Sequence, residues 1–97
     1  MLSLAFRRMA IRRPAPWMQA VDERILEYLD TEGGGSPTSI VEDGEFDYHA
    51  NTVGRRLRLL LETELVERIA RGQYRITPKG RAFLAGQEDL RDVEEPE

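Results

Sequence analysis

The sequence predicts a mainly α-helical fold with one small β-hairpin, in the order helix, helix, helix, hairpin, helix. Three observations predict it. Apolar residues recur at helical spacing from Val21 to Leu29 and again from Val53 to Leu60. Two short runs that contain β-branched and aromatic residues, 66–69 and 73–76, lie on either side of a turn with Gly72, as in a β-hairpin. A hydroxyl residue precedes proline at residues 36–37 and 77–78, a pairing that is typical of a helix N-cap and first turn.

The first two predicted helices are separated by glycines. The first runs from about Gln19 to Thr31, with acids in its first turn, where the helix dipole favours them. The three glycines at 33–35 end it. The second helix is short, because it begins at Ser36-Pro37 and ends near residues 43–44.

The third predicted helix begins near residue 49 or 50 and closes at residues 63–64. Val53, Leu57 and Leu60 stand at helical spacing and form one predicted buried stripe. Glu64 follows the helix where glycine is the usual residue. If Glu64 adopts a left-handed conformation, the expected cost is about 1 kcal/mol.

The hairpin and the last helix complete the predicted domain. The strands are predicted at residues 66–69 and 73–76, with a turn at 70–72. The second strand alternates apolar and polar residues, whereas the first does so poorly, which leaves its register open. The last helix starts at residues 77–78 and is expected to stop at Gly86.

The composition is that of one small domain. The chain has 97 residues, of which 40% are hydrophobic, with no cysteine and one histidine. Disulfides and thiolate metal sites are therefore excluded, and neither a metal nor another cofactor is predicted. With no Ser-His-Asp set and no glycine-rich phosphate loop, we do not expect an enzyme. No apolar run of about 18 residues or signal peptide occurs, which predicts a cytoplasmic protein without membrane spans.

The charges are segregated along the chain. The formal net charge is −4, yet residues 51–86 carry eight basic and three acidic residues. Residues 1–14 include four arginines and no acid, and we expect a disordered basic arm there. Residues 87–97 hold six acids, one arginine and few apolar residues, which predicts a disordered acidic tail. The folded domain is accordingly predicted at residues 15–86.

The third predicted helix, which lies in the basic part of the chain, has its polar residues on the side away from its buried stripe. Asn51, Arg55 and Arg58 point opposite to the stripe, whereas Thr52 and Arg56 lie on one flank. A basic helix followed by a basic hairpin is typical of a winged helix-turn-helix, in which the second helix of the motif enters the major groove of DNA. The predicted contacts to double-stranded DNA are made by His49, Asn51, Thr52, Arg55, Arg56, Arg58, Arg71 and Arg75.

These candidates have different predicted roles. Asn51 can bond adenine and Arg55 can bond guanine, each in a bidentate way. Arg56 and Arg58 are better placed for phosphates, and Arg71, with Arg75, would reach the flanking backbone or minor groove. For His49 the sequence leaves two roles open, a cap of the third helix or a phosphate contact.

Two features favour a different use of the same fold. The predicted turn before the third helix is acidic, and Leu59 and Leu61 lie off the buried stripe. The leucines would pack on the hairpin or on a second subunit, which is consistent with a homodimer. The alternative hypothesis is a winged-helix module that binds another protein. No small-molecule ligand is evident.

The sequence resembles small winged-helix transcription regulators of haloarchaea, which are similar to phage-repressor-like and multidrug-resistance-regulator-like proteins. The resemblance covers about residues 14–86. It rests on the runs Asp22–Leu29, Tyr48–Leu57 and Leu65–Arg68, and on Tyr74–Gly80 with its Thr-Pro-Lys-Gly. It implies a DNA-binding regulator, often dimeric. Glu64, Leu59 and Leu61 depart from the usual pattern of the group.

Overall fold

A computed structural model of the chain describes residues 11–97. The helices are α1 (Ala20–Glu32), α2 (Pro37–Asp43), α3 (Ala50–Glu62) and α4 (Pro78–Leu84). The strands β1 (Val66–Ala70) and β2 (Gln73–Ile76) form an antiparallel hairpin between α3 and α4, called the wing below. The predicted fold class and element order are confirmed. No helix in the described range is long and apolar enough to cross a membrane.

The helices α2, α3 and α4 each begin at a residue whose side chain caps the first turn. The Ser36 hydroxyl accepts a hydrogen bond from the Ser39 N–H at 3.1 Å, before Pro37 starts α2. At α3 the Nδ1 atom of His49 accepts from the Asn51 N–H at 3.1 Å. These partners satisfy backbone donors that the first turn of a helix leaves free.

The core lies where α1, α3, α4 and the wing meet. Val53, Leu57 and Leu60 are all completely buried, so the predicted stripe of α3 is confirmed. The other fully buried side chains come from α1, α2, the α3–β1 junction, the start of β1, α4 and Leu90. Because the opposite side of α3 is not needed for packing, its polar residues remain available at the surface.

The wing is tied to the start of α2 by a short extra bridge. Gly35 and Tyr74 pair in antiparallel fashion, with two backbone hydrogen bonds of 2.9 Å. Within the wing, Arg68 faces Tyr74 and Ala70 faces Gln73, so the pairing shifts around Ile69. This bulge explains the poor alternation of β1 in the sequence. The bridge holds the wing beside the helix-turn-helix segment.

The Thr-Pro-Lys-Gly run packs α4 closely onto the end of α3. The Thr77 hydroxyl accepts from the Gly80 N–H at 3.0 Å and donates to the Glu64 carbonyl at 2.6 Å. A Cβ atom at Gly80 would collide with the backbone carbonyl oxygen of Leu65. Glycine is therefore required at this position by the close approach of two backbones.

The segments on either side of residues 15–86 contact the domain, which differs from the predicted disorder. The Arg12 guanidinium donates to Glu27 at 2.7 Å and to Glu23 at 3.1 Å. Leu90 is only 2% exposed, and its N–H donates to the Arg13 carbonyl at 2.9 Å. Residues 11–14 are thus held by contacts to α1 and to residues 89–90. The rest of the predicted arm, residues 1–10, lies outside the described residues.

Glu64 adopts the left-handed conformation that the sequence left conditional, with φ of 66°. We expect Glu64→Gly to raise the free energy of unfolding by about 1 kcal/mol, because glycine has no Cβ to clash there. Chemical denaturation monitored by circular dichroism measures the change. Glu64→Ala is the matched control, since alanine keeps the strain. Equal midpoints for the two variants would contradict the prediction.

Candidate nucleic-acid interface

An open groove of about 740 Å³ lies between the start of α2, the exposed side of α3 and the tip of the wing. It is called the groove below and is lined by Ser36, Pro37, Thr38, Ala50, Asn51, Gly54, Arg55, Arg58, Arg71, Gly72 and Gln73. Three of these residues are arginines and none is acidic. A chain of net charge −4 thus concentrates positive charge at this surface.

Asn51 and Arg55 lie one turn apart on the exposed side of α3. Both are solvent-exposed, and both line the groove. The Arg55 guanidinium donates to the Thr52 hydroxyl at 3.3 Å, a contact at the surface of the helix. Residues four positions apart on a helix are neighbours, so the two side chains can meet adjacent bases.

Arg58 and Arg71 provide the groove with charge from two different elements. Arg58 lies 3.6 Å from Glu62 in an exposed ion pair, and its side chain is 69% exposed. It also donates to the backbone oxygen of Glu97 at 3.4 Å. Such exposed pairs contribute at most about 1 kcal/mol, so a phosphate can displace them. Arg71 is exposed at the turn of the wing.

Arg75 does not line the groove. Its guanidinium donates to Glu67 at 3.0 Å across the wing, and both side chains are about half exposed. Gln73, two residues earlier, lies on the same face of β2 and does line the groove. The exposed ion pair is weak enough to exchange with another anion.

Arg56 is placed differently from the prediction, which put it at phosphates. Its Nε donates to Asp22 Oδ1 at 2.8 Å and its NH2 group donates to Asp22 Oδ2 at 2.7 Å. The Arg56 side chain is only 14% exposed and that of Asp22 is fully buried. These hydrogen bonds to Asp22 raise the pKa of Arg56, against the opposing effect of burial. The sequence could not show this, because Arg56 and Asp22 stand far apart along the chain.

His49 and Thr52 border the groove without lining it. His49 caps α3 through Nδ1, one of its two predicted roles. Thr52 is half-buried and accepts from Arg55, so it contacts a predicted DNA-binding residue. Both residues are therefore connected to the Asn51–Arg55 pair through local hydrogen bonds.

Sequence reasoning missed the contribution of α2 and of β2 to the groove. The segment Ser36–Thr38 was interpreted only as a helix start, and Gln73 only as the exposed side of a strand. The signal for Gln73 was present, since it directly follows the basic turn of the wing. For α2, the signal was that two predicted helices follow each other directly. In a helix-turn-helix the first of the two helices crosses the DNA backbone.

Leu59 and Leu61 separate into two cases. Leu61 is half-buried and packs against the core, although it lies off the main stripe. Leu59 is also half-buried but does not belong to the core or to the residues packed on it. Of these two leucines, Leu59 is therefore the one that does not pack on the core.

A family profile described as the winged helix-turn-helix phage repressor matches residues 11–96, which is most of the chain. The chain belongs to this family. Membership of this repressor family makes the protein a DNA-binding regulator. The predicted resemblance to winged-helix regulators is confirmed.

A solved structure supports the same family assignment. The crystal structure of the PhiH1 repressor-like protein from Haloarcula marismortui is similar, with a TM-score of 0.82 and 36% sequence identity. The match covers 90% of this chain and 99% of that chain. Among the curated proteins, none matches the chain.

Proposed function

We propose that the protein is a sequence-specific transcription regulator that binds double-stranded DNA with α3 in the major groove. The observation that supports this most directly is the groove, in which Asn51, Arg55 and Arg58 of α3 share one surface with Arg71 of the wing. An α-helix fits into the major groove of B-form DNA, and a hairpin beside that helix then lies over the adjacent DNA backbone.

Asn51 and Arg55 read base edges in this proposal. Asn51 bonds the N6 and N7 atoms of adenine, and Arg55 bonds O6 and N7 of guanine. Their positions in the first half of α3 agree with helix-turn-helix geometry, in which N-terminal residues of the second helix contact bases. Each bidentate pair contributes about 1–3 kcal/mol of discrimination against the wrong base.

Arg58 and Arg71 bind phosphates in the same proposal. Arg58 lies one turn further along α3, and Arg71 stands at the wing tip, so the two residues border the groove from two sides. Phosphate contacts of this kind fix the register of a protein on DNA without reading its sequence. His49, Thr52 and Arg75 lie at the edges of the proposed interface.

We also propose a cytoplasmic homodimer of archaeal origin. Dimeric helix-turn-helix regulators bind two half-sites about one helical turn apart, or a multiple of it, so that one short helix per subunit can specify a longer operator. Leu59, half-buried and outside the core, is a residue that a second subunit would cover. The similar repressor-like protein from Haloarcula marismortui supports the proposed source.

Arg55→Ala tests the proposed function. Once the bound site has been selected from a random DNA pool, this variant is expected to bind it with about 1–3 kcal/mol less affinity per half-site. The loss should be confined to sequences that carry the guanine, and footprinting of genomic fragments measures it.

Arg81→Ala is the matched control for Arg55→Ala. It also removes one exposed arginine, but Arg81 lies on α4 beside Asp30 and does not line the groove. Equal affinities of both variants for the selected site would show that α3 is not the reading helix. If the wild-type protein binds no DNA at the salt concentration of its source, the alternative of a protein-binding module is favoured instead.

A further inference from the structure

The Asp22–Arg56 ion pair joins α3 to the first turn of α1. Asp22 is the only charged residue that is fully buried in the described part of the chain. Its carboxylate accepts two hydrogen bonds from the Arg56 guanidinium and a third, at 2.8 Å, from the Gln19 N–H. Arg56 also donates to the Trp17 carbonyl at 3.5 Å. Every oxygen of this carboxylate is therefore engaged.

The position of Arg56 on α3 connects this pair to the groove. Arg55 faces the groove, Arg56 faces Asp22 and Leu57 faces the core, because successive residues of an α-helix are about 100° apart. The core side chains of α3 are aliphatic and have no directional bonds. The bidentate contact to Asp22 is directional, so it limits rotation of α3 about its own axis.

We infer that Arg56 is a positioning residue, which holds the rotation of α3 so that Asn51 and Arg55 meet base edges, and that it does not bind phosphate. This inference rests on the proposed function, because it assigns Arg56 a role in the same interface. Binding groups need to be held within about 0.5 Å and 10–20° of their productive geometry. A buried charged pair is suited to this role, because breaking its contact leaves a buried charge without its partner, which is energetically unfavourable.

The two possible roles of Arg56 predict opposite effects for Asp22→Asn. If Arg56 bound phosphate, removing its partner's charge would free the guanidinium and raise the affinity for DNA. If Arg56 positions α3, the same change weakens its anchor and lowers the affinity for the selected site by about tenfold or more, which is the effect of losing one base contact. Affinity for unrelated duplex DNA should change little, because phosphate contacts are kept.

The test measures fluorescence anisotropy of labelled duplexes, with the selected site and with a scrambled site, over a series of salt concentrations. The variants are Asp22→Asn and Arg56→Lys, and measurements are made well below the melting temperature of each. Asp30→Asn is the matched control, because Asp30 pairs with Arg81 in an exposed bridge outside the groove. We expect both test variants to lose the preference for the selected site, with the dependence on salt unchanged.

Several results would overturn the inference. An increase in affinity for Asp22→Asn would identify a phosphate contact. A third variant, Arg56→Ala, measured over the same salt series, would identify it by a salt dependence that falls by about 0.9 in slope. Lower melting temperatures with unchanged affinity and site preference would identify a purely structural pair. Should Asp22→Asn fail to fold, Arg56→Lys decides alone, because lysine keeps the charge but cannot form the bidentate contact.

Failure of the inference can be distinguished from failure of the proposed function. If the wild-type protein shows no preference between the selected and scrambled sites, the proposed function fails and the inference fails with it. If the wild-type protein and Asp30→Asn prefer the selected site and the test variants retain that preference, only the positioning role of Arg56 is overturned.

Discussion

Leu60→Ala is expected to lower the free energy of unfolding by about 2–5 kcal/mol, because it removes buried methyl groups and leaves a cavity. Leu60 is completely buried on the core side of α3. Small domains are stable by roughly 5–15 kcal/mol, so the loss is a large share of the total. Urea denaturation followed by circular dichroism measures the loss. The midpoint urea concentration should fall, while the dependence of the unfolding free energy on urea concentration stays unchanged.

Leu59→Ala is the matched control for Leu60→Ala. It removes the same atoms from the adjacent residue of the same helix, but Leu59 does not belong to the core. We expect a cost of about 1 kcal/mol or less for the monomeric chain at low protein concentration, as for a residue near the surface. Equal costs for both variants would mean that α3 is rotated about its axis, and the assignment of Asn51 and Arg55 to the groove would fail with it.

The order of the elements could be predicted because its signals are local. The N-caps Ser36 and Thr77, each followed by proline, specify the starts of α2 and α4 within a few residues. The spacing of Val53, Leu57 and Leu60 specifies which side of α3 is buried. Exposure of Asn51 and Arg55 follows from that spacing alone, since the opposite side of the helix remains in solvent.

The placement of Arg56 could not be predicted because it depends on a distant partner. Helical geometry puts Arg56 on the flank of α3, but it does not show what lies beside that flank. Asp22 also had a sufficient local explanation, as an acid in the first turn of α1. Only the packing of α1 against α3 brings the two charges together, and the local sequence does not encode it.

The bridge between Gly35 and Tyr74 was missed for a related reason. Gly35 is the third of three glycines, which were interpreted only as the end of α1. A single bridging residue has no periodic pattern, so the sequence contains no strand signal there. A Cβ at Gly35 would come within 2.9 Å of the Tyr28 ring, which shows how closely the chain passes α1 at this point.

The C-terminal segment, residues 87–97, shows how composition can conceal packing. Six acids dominate it, and average polarity of this kind predicts disorder. Burial is nevertheless a property of single residues, and Leu90 is 2% exposed within the segment. The Trp17 indole N–H also donates to the Val93 carbonyl at 3.2 Å, so a residue before α1 holds the segment in place.

Leu90→Ala is therefore expected to lower the free energy of unfolding by about 2–5 kcal/mol, as for a core leucine. A disordered tail would give no effect, because a side chain in solvent loses nothing on truncation. Hydrogen exchange supplies a second measurement, since the Leu90 N–H donates to the Arg13 carbonyl at 2.9 Å. It should exchange as slowly as amides of the core. Exchange at the rate of an unfolded chain, with wild-type stability for Leu90→Ala, would show that the domain ends before this segment.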